Sequence, residues 1–153
     1  METGHSRRVI VGNDVVDLTD PRVLAKASNA RFLERIFADE ERAAIASAPD
    51  PDLELWQQWA AKETAYKAVS KLRESPPTFA HRAFVVSWSH PSEHDGSHGV
   101  RSGSVRYEST IIDIEAAWDP QKVHVVGWVG DSTHSRKDEQ LNSRLARLDE
   151  AGA

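Results

Sequence analysis

Cysteine is absent from the 153-residue sequence, which excludes disulfide bonds and thiolate metal sites. The sequence also lacks any apolar run near the roughly 18 residues that a membrane-spanning helix needs, and its first residues lack the apolar core of a signal peptide. Basic residues are in the minority, with 19 Lys and Arg against 24 Asp and Glu, so the positive charge typical of nucleic-acid binding is missing. We therefore expect a cytoplasmic protein that binds neither membranes nor nucleic acid.

Hydrophobic residues nonetheless make up 39% of the chain, which is enough for a packed core. A chain of this length suits one domain. We assign that domain to residues 1–130, because the sequence becomes polar from Asp131 onwards. Residues 131–153 are expected to form a flexible tail or a short helix.

The first half of the sequence predicts one strand followed by helices. Val and Ile dominate residues 7–18, which predicts the strand, and Pro21 marks the start of a short helix. Residues 30–48 predict two helices that break near Ala38. Residues 53–72 predict the longest helix of the chain.

The second half of the sequence predicts strands at 82–88, 105–118 and 122–130, with a polar Gly/Ser loop at 90–104. Three tryptophans fall within these strands and are expected to pack in the core: Trp88, Trp118 and Trp128. One strand, then helices, then strands without βαβ alternation indicate an α+β fold.

The longest predicted helix carries a carboxylate on an aromatic face. At 100° per residue, Glu63 lies between the directions of Trp56 and Trp59. An ionised carboxylate in such a place is unfavourable unless a cation or hydrogen-bond donors meet it. Lys67 follows one turn later, in the favourable order for an ion pair. Taken alone, this pattern indicates a salt bridge at the edge of a core face.

The first strand repeats the pattern. Asp14 is the one charged residue on an otherwise apolar face, next to Gly12, which leaves room beside it. A strand that ends in a turn at Gly12-Asn13 is the alternative interpretation. Two carboxylates together suit Mg²⁺, which prefers oxygen ligands, water and substrate phosphates. With Lys67 or Lys62 as a cation for a phosphate, the pattern indicates phosphoryl-type transfer.

Three stretches, at 11–18, 31–42 and 59–67, resemble in their order and spacing the signature of the 4'-phosphopantetheinyl transferase superfamily. "VGNDVVDL" (11–18) resembles its Gly-x-Asp strand, and "WAAKETAYK" (59–67) resembles its Trp-x-x-Lys-Glu-x-x-x-Lys helix. "RFLERIFADEER" (31–42) resembles the intervening helix of the single-repeat holo-acyl-carrier-protein synthase branch. The resemblance covers roughly residues 9–84.

The resemblance implies an antiparallel sheet packed against a long central helix and shorter helices. It implies an enzyme that moves 4'-phosphopantetheine from coenzyme A to a serine of an acyl or peptidyl carrier protein. The reaction would depend on Mg²⁺ and release adenosine 3',5'-bisphosphate. A homotrimer with sites between subunits is the oligomer that the single-repeat form implies.

The resemblance also implies roles for individual residues. Asp14 and Glu63 match the metal ligands, and Asp17 stands where the family often has a further acid. Lys67 matches the lysine beside the diphosphate, and Glu63 or a metal-bound water would help to deprotonate the serine. The coenzyme A contacts that it implies are Lys62, Lys67 and Arg82. From their charge alone, Arg31 and Arg35 could meet an acidic carrier protein. The alternative is a solvated helix face on which they pair with Glu34 and Asp39.

The sequence departs from the family pattern at three places. Ala38 replaces the Ser or Thr that caps the next helix, and Gln57 and Gln58 stand where the synthase branch tends to carry an arginine. The Ser-x-Ser-His segment, here "SWSH" at 87–90, comes earlier than usual. These departures leave two alternatives open: a catalytically inactive module that binds carrier protein or coenzyme A, and a metal-dependent nucleotide pyrophosphatase.

Overall fold

The computed structural model describes residues 8–89, 93–94 and 97–130. Contacts divide the chain into two units, Met1–Val9 with Gly130–Ala153, and Ile10–Val129. The first unit lies almost entirely outside the described residues, and so does the predicted tail at 131–153. The site below belongs to the second unit. No helix in the described ranges is long and apolar enough to cross a membrane.

Three α-helices follow the first strand. They are α1 (Ala30–Ile36), α2 (Asp39–Ser47) and α3 (Pro51–Leu72). Short 3₁₀ turns occur at Pro21–Val23, Lys26–Ser28 and His81–Ala83. Asp50 caps α3, because its side chain accepts a hydrogen bond from the Leu53 N–H (3.1 Å). The predicted break near Ala38 is confirmed, since Ala38 lies between α1 and α2.

Six strands form one sheet. They are β1 (Val9–Asp17), β2 (Val85–Trp88), β3 (Glu93–His94), β4 (Gly99–Tyr107), β5 (Thr110–Trp118) and β6 (Lys122–Gly130). The order across the sheet is β1-β6-β5-β4-β2, and β3 pairs with β4. The pairs β2–β4, β4–β5 and β5–β6 are antiparallel. Antiparallel pairing is expected for β4, β5 and β6, which follow one another in the chain through short turns. The predicted α+β fold is confirmed.

Helix α3 packs against the sheet through its small residues. Ala61, Ala65 and Ala68 are fully buried, which lets the helix backbone approach the strands closely. The Thr64 hydroxyl donates to the Val125 carbonyl on β6 (3.2 Å). Glycine allows the same approach at Gly127, where an added Cβ would lie 2.8 Å from the Thr64 methyl. The long helix is therefore buried on more sides than its aromatic stripe alone suggests.

Three predictions for the second half need correction. The predicted strand 82–88 is shorter, because a 3₁₀ turn occupies His81–Ala83 and β2 begins at Val85. The predicted loop 90–104 contains β3 and the first half of β4. The predicted strand 105–118 is split by a hairpin turn, where Glu108 adopts a left-handed conformation with φ 52°. The turn was not predicted for two reasons. Apolar residues alternate on both sides of it, and "RYESTII" contains no Gly, Pro or Asn-Gly turn signal.

The three tryptophans differ in environment. Trp118 is buried and Trp88 is partly buried, whereas Trp128 is 39% exposed. Trp128 therefore contradicts the expectation that all three pack in the core. It lies on the face of the sheet away from α3, together with the exposed Val11, Val15 and Ile111. This set of four residues is called the open sheet face below.

Candidate active site

The site begins where β1 crosses α3 at Gly12. A Cβ added at Gly12 would lie 2.5 Å from the Thr64 carbonyl oxygen and 3.2 Å from the Ala68 nitrogen. Only glycine permits this backbone contact, because both obstructing atoms belong to the helix main chain. The contact holds Asp14, two residues further along the same face of β1, beside the helix turn that carries Glu63 and Lys67.

Lys67 bonds directly to the strand. Its Nζ donates to Asp14 Oδ1 (2.8 Å) and to the Asn13 carbonyl oxygen (2.9 Å). The Asp14 side chain is 17% exposed and that of Lys67 is 46% exposed, so the pair lies at the surface. The structure thus brings together two of the three residues predicted to carry the chemistry.

Glu63 completes the group. Burial raises the pKa of the Glu63 carboxyl, and the negative charge of Asp14 raises it further, while Lys67 opposes the shift. Like charges disfavour ionisation of each other, so ionised Asp14 makes ionisation of Glu63 less favourable. A neighbouring cation would relieve both effects, so this part of the molecule favours a positive ligand between the acids.

His81 faces Glu63 from the 3₁₀ turn after α3. Its Nε2 lies 3.6 Å from Glu63 Oε1. The imidazole stacks on Trp59 with centroids 4.7 Å apart, and Phe79 lies 3.8 Å away. Burial lowers the pKa of His81, and the positive charges of Lys62 and Arg35 lower it further, so the imidazole is neutral at pH 7. Sequence reasoning missed this residue, because nothing in "FAHRAF" marks its histidine as a neighbour of Glu63.

Lys62 lies inside the protein and not at the surface with Lys67. It is fully buried and its Nζ donates to Glu41 Oε1 (2.7 Å) and to the carbonyl oxygens of His81 and Phe84. Glu41 Oε2 accepts from the Val86 N–H (3.0 Å). The structure therefore does not place Lys62 at a coenzyme A site. Sequence reasoning also missed Glu41, whose one signal was its place in the first turn of α2.

The remaining predicted site residues lie apart from this group. Asp17 is on the opposite face of β1, and its carboxylate accepts from the Thr19 N–H (2.9 Å) and hydroxyl (2.6 Å). These hydrogen bonds lower the pKa of Asp17. Arg82 is exposed and lies 3.6 Å from Asp39. The structure brings neither residue to Asp14 and Glu63.

Gln57 and Gln58 stand inside the fold. The Gln57 side-chain oxygen accepts from Arg101 on β4 (2.9 Å), and Gln58 donates to Glu54 Oε1 (3.0 Å). Arg101 also pairs with Glu54 Oε2 (2.6 Å). The two glutamines thus belong to a buried polar network between α3 and β4, which explains why neither reaches the solvent.

The two carboxylates of the site are suited to a divalent metal ion. Asp14 and Glu63 supply carboxylate oxygens, the ligands that Mg²⁺ prefers, and their mutual repulsion is what such an ion would offset. Within residues 8–89, 93–94 and 97–130, no group of three or more His, Cys, Asp and Glu side chains is arranged as a metal site. The two acids therefore fit Mg²⁺ in the form that takes its other ligands from water and substrate phosphates.

A family model provides the first comparison with known proteins. The model of the 4'-phosphopantetheinyl transferase superfamily matches residues 10–107, well over half of the chain. The matched range begins in β1 and includes Asp14, Glu63, Lys67 and His81.

Solved structures provide the second comparison. Holo-[acyl-carrier-protein] synthase from Neisseria meningitidis is 17% identical, with a TM-score of 0.58 over 80% of this chain and 98% of that one. The coenzyme A complex of the synthase from Chronobacterium ammoniagenes is 18% identical, with a TM-score of 0.54 over 79% and 96% of the two chains. The Thermotoga maritima synthase is 16% identical, with a TM-score of 0.51 over 78% and 62%. At these identities the likeness shows the shared fold.

Proposed function

Because the chain belongs to the 4'-phosphopantetheinyl transferase superfamily, we propose that it is a holo-[acyl-carrier-protein] synthase-type transferase. It transfers 4'-phosphopantetheine from coenzyme A to a serine hydroxyl of an acyl or peptidyl carrier protein in the cytoplasm. A new bond forms between the serine oxygen and the phosphorus that bears pantetheine. The diphosphate bond of coenzyme A breaks, and adenosine 3',5'-bisphosphate leaves with the bonding electrons.

The arrangement of Asp14, Glu63 and Lys67 supports this proposal most directly. Mg²⁺ held by Asp14 and Glu63 would offset the charge of the diphosphate. Lys67, 2.8 Å from Asp14 and partly exposed, can turn its ammonium to the leaving phosphate. Glu63, or a water on the metal, would take the proton of the serine hydroxyl.

A carrier protein would meet the exposed arginines of α1. Arg31 and Arg35 are both exposed. The neighbouring acids do not neutralise them, since Glu34 lies 4.0 Å from Arg42 and Asp39 also pairs with Arg42. An acidic partner would therefore find two available cations on a protein of net charge −5.

A homotrimer is the assembly that we propose, with the open sheet face as its contact. Val11 and Val15 are 46% and 56% exposed, and Ile111 is 50% exposed. Exposed apolar side chains grouped on one face of a sheet are typical of a surface that a second molecule of the protein covers.

The experiment incubates the protein with coenzyme A, Mg²⁺ and a panel of apo carrier proteins, and measures the intact mass of each carrier. A mass gain of one phosphopantetheine group that disappears with a chelator is the expected result. A folded protein that modifies no fatty acid, polyketide or peptide carrier contradicts the proposal.

A binding module without catalysis is the second candidate. The observation that favours it is the engagement of Asp14 by Lys67, which occupies one of the carboxylates that a metal needs. Such a module binds carrier protein or coenzyme A and gives no mass gain. Calorimetry with the same panel distinguishes it from the transferase.

A further inference from the structure

A single unsatisfied polar atom stands beside the candidate site. His81 Nε2 is buried and has no hydrogen-bond partner within the part of the chain that the structure describes. The nearest carboxylate oxygen that it faces is Glu63 Oε1 at 3.6 Å, just beyond hydrogen-bond distance. A buried polar atom without a partner is unfavourable, so its place next to Glu63 requires an explanation.

The ring around this atom is fixed on both sides. Trp59 stacks on the imidazole with an interplanar angle of 25°, and Phe79 lies at 40°. Trp59 belongs to α3, one turn before Glu63, so the stacked pair moves with the helix that carries the carboxylate. Aromatic packing on both faces therefore holds the imidazole next to Glu63.

The main chain of His81 is held as well. The buried Lys62 ammonium donates to the His81 carbonyl (3.0 Å) and to Glu41 Oε1 (2.7 Å). Glu41 also accepts from the Ala38 and Val86 N–H groups (2.8 and 3.0 Å). The pair thus joins the 3₁₀ turn at His81–Ala83 to α2, α3 and β2.

We propose that His81 is a positioning residue for Glu63, and that the buried Lys62–Glu41 pair holds it in place. The inference deepens the proposed function and rests on it. The neutral imidazole donates its Nε2–H to Glu63 and orients the carboxylate for the divalent ion, without touching the substrate. Lys62 therefore serves the site through His81 and not through a phosphate. Hydrogen-bonded supports of this kind orient metal-binding carboxylates in many proteins.

Two variants separate the donor from the ring. His81→Phe keeps the stacking on Trp59 and removes the donor, whereas His81→Gln keeps a donor at a similar reach. The probe is Mn²⁺ in the presence of coenzyme A, with free Mn²⁺ measured by electron paramagnetic resonance. We expect His81→Phe to weaken Mn²⁺ binding by about tenfold, and His81→Gln to stay close to wild type.

The outcomes are distinct. Wild-type affinity in His81→Phe overturns the inference, and so does equal weakening in both variants, because the ring and not the donor would then matter. Wild-type protein that binds no Mn²⁺ overturns the inference together with the metal site. If the wild-type protein binds Mn²⁺ and modifies no carrier, only the proposed transfer is contradicted. The Mn²⁺ affinities of the two variants then still decide the role of His81.

A measurement on the wild-type protein does not depend on the folding of any variant. Long-range ¹H–¹⁵N NMR spectra of the imidazole identify which nitrogen carries the proton. The inference requires the Nε2–H form when Mg²⁺ and coenzyme A are present. Detection of the Nδ1–H form under those conditions overturns it.

Discussion

Lys67 and Asp14 join the longest helix to the first strand, with the Lys67 Nζ 2.8 Å from Asp14 Oδ1. The two residues are 53 positions apart in sequence. Their contact depends on Gly12, which allows β1 to touch the main chain of α3. The ion pair therefore depends on the packing of β1 against α3 and is also part of the candidate site.

Lys67→Met removes the cation that we propose to contact the diphosphate of coenzyme A. We expect kcat to fall by about 10²-fold, the order seen when a single stabilising donor is lost from an active site. Stability should change little, because the pair is partly exposed. The control is Lys71→Met, which loses a bond to the Val11 carbonyl on the same strand. Equal activity in the two variants, measured as carrier modification per minute, contradicts the role of Lys67.

Glu63→Gln tests the raised pKa. A carboxyl with a raised pKa in the folded state stabilises the protein when protonated, and that contribution is lost as the pH rises through the folded pKa. At pH 7 the wild-type protein carries the ionised, half-buried group, whereas glutamine stays neutral. We therefore expect Glu63→Gln to have the higher Tm at pH 7 in metal-free buffer, and the difference to shrink near pH 4.

Thermal unfolding at both pH values, with chelator present, measures this difference. Added Mg²⁺ should raise the Tm of the wild-type protein and leave that of Glu63→Gln unchanged, because the variant lacks one carboxylate ligand. A Tm difference that does not depend on pH shows that ionisation of Glu63 is not its cause.

Gly12→Ala tests the contact between β1 and α3. The new Cβ would lie 2.5 Å from the Thr64 carbonyl oxygen, so the strand must move away from the helix. We expect a loss of about 1–3 kcal/mol in the free energy of unfolding, as for overpacked cores. Gly130→Ala is the matched control, since no described atom lies within 4 Å of its added Cβ. Urea denaturation compares the two, and equal midpoints contradict the close approach.

The side chains of Lys62 and Glu41 are both buried, so the effects of changing them on the free energy of unfolding should not be additive. Lys62→Met leaves the Glu41 charge without its cation, and we expect a loss of about 3–5 kcal/mol in the free energy of unfolding. Lys62→Met combined with Glu41→Gln should lose less than the sum of the single changes, because the unpaired charge is then absent. Additive losses in a double-mutant cycle show that the pair does not act as a unit.

The fold class could be predicted from the sequence and is confirmed, and the site residues were named as a prediction. Gly12, Asp14, Glu63 and Lys67 were recognisable because their spacing is local to one strand and one helix. The contact between β1 and α3 joins residues far apart in sequence, so it could not be predicted from local spacing. The hydrogen bond from Lys67 to Asp14 is known only from the structure.

The residues that the structure places apart from Asp14 and Glu63 share a physical reason. A lysine next to Glu63 in sequence points about 100° away on the helix, so Lys62 is fully buried while Glu63 is half-buried. Alternation along β1 likewise sends Asp17 to the face opposite Asp14. His81 reaches Glu63 only through the turn after α3, which no sequence period describes.

We propose that the carboxylates of Asp14 and Glu63 carry the transfer. The test is intact-mass spectrometry of an apo carrier protein that is incubated with wild-type protein, Asp14→Asn or Glu63→Gln, under the chelator-controlled conditions above. We expect a mass gain of one phosphopantetheine group with wild type and at least a hundredfold slower gain with either folded variant. Folded variants that modify the carrier at the wild-type rate would contradict this role of the two carboxylates.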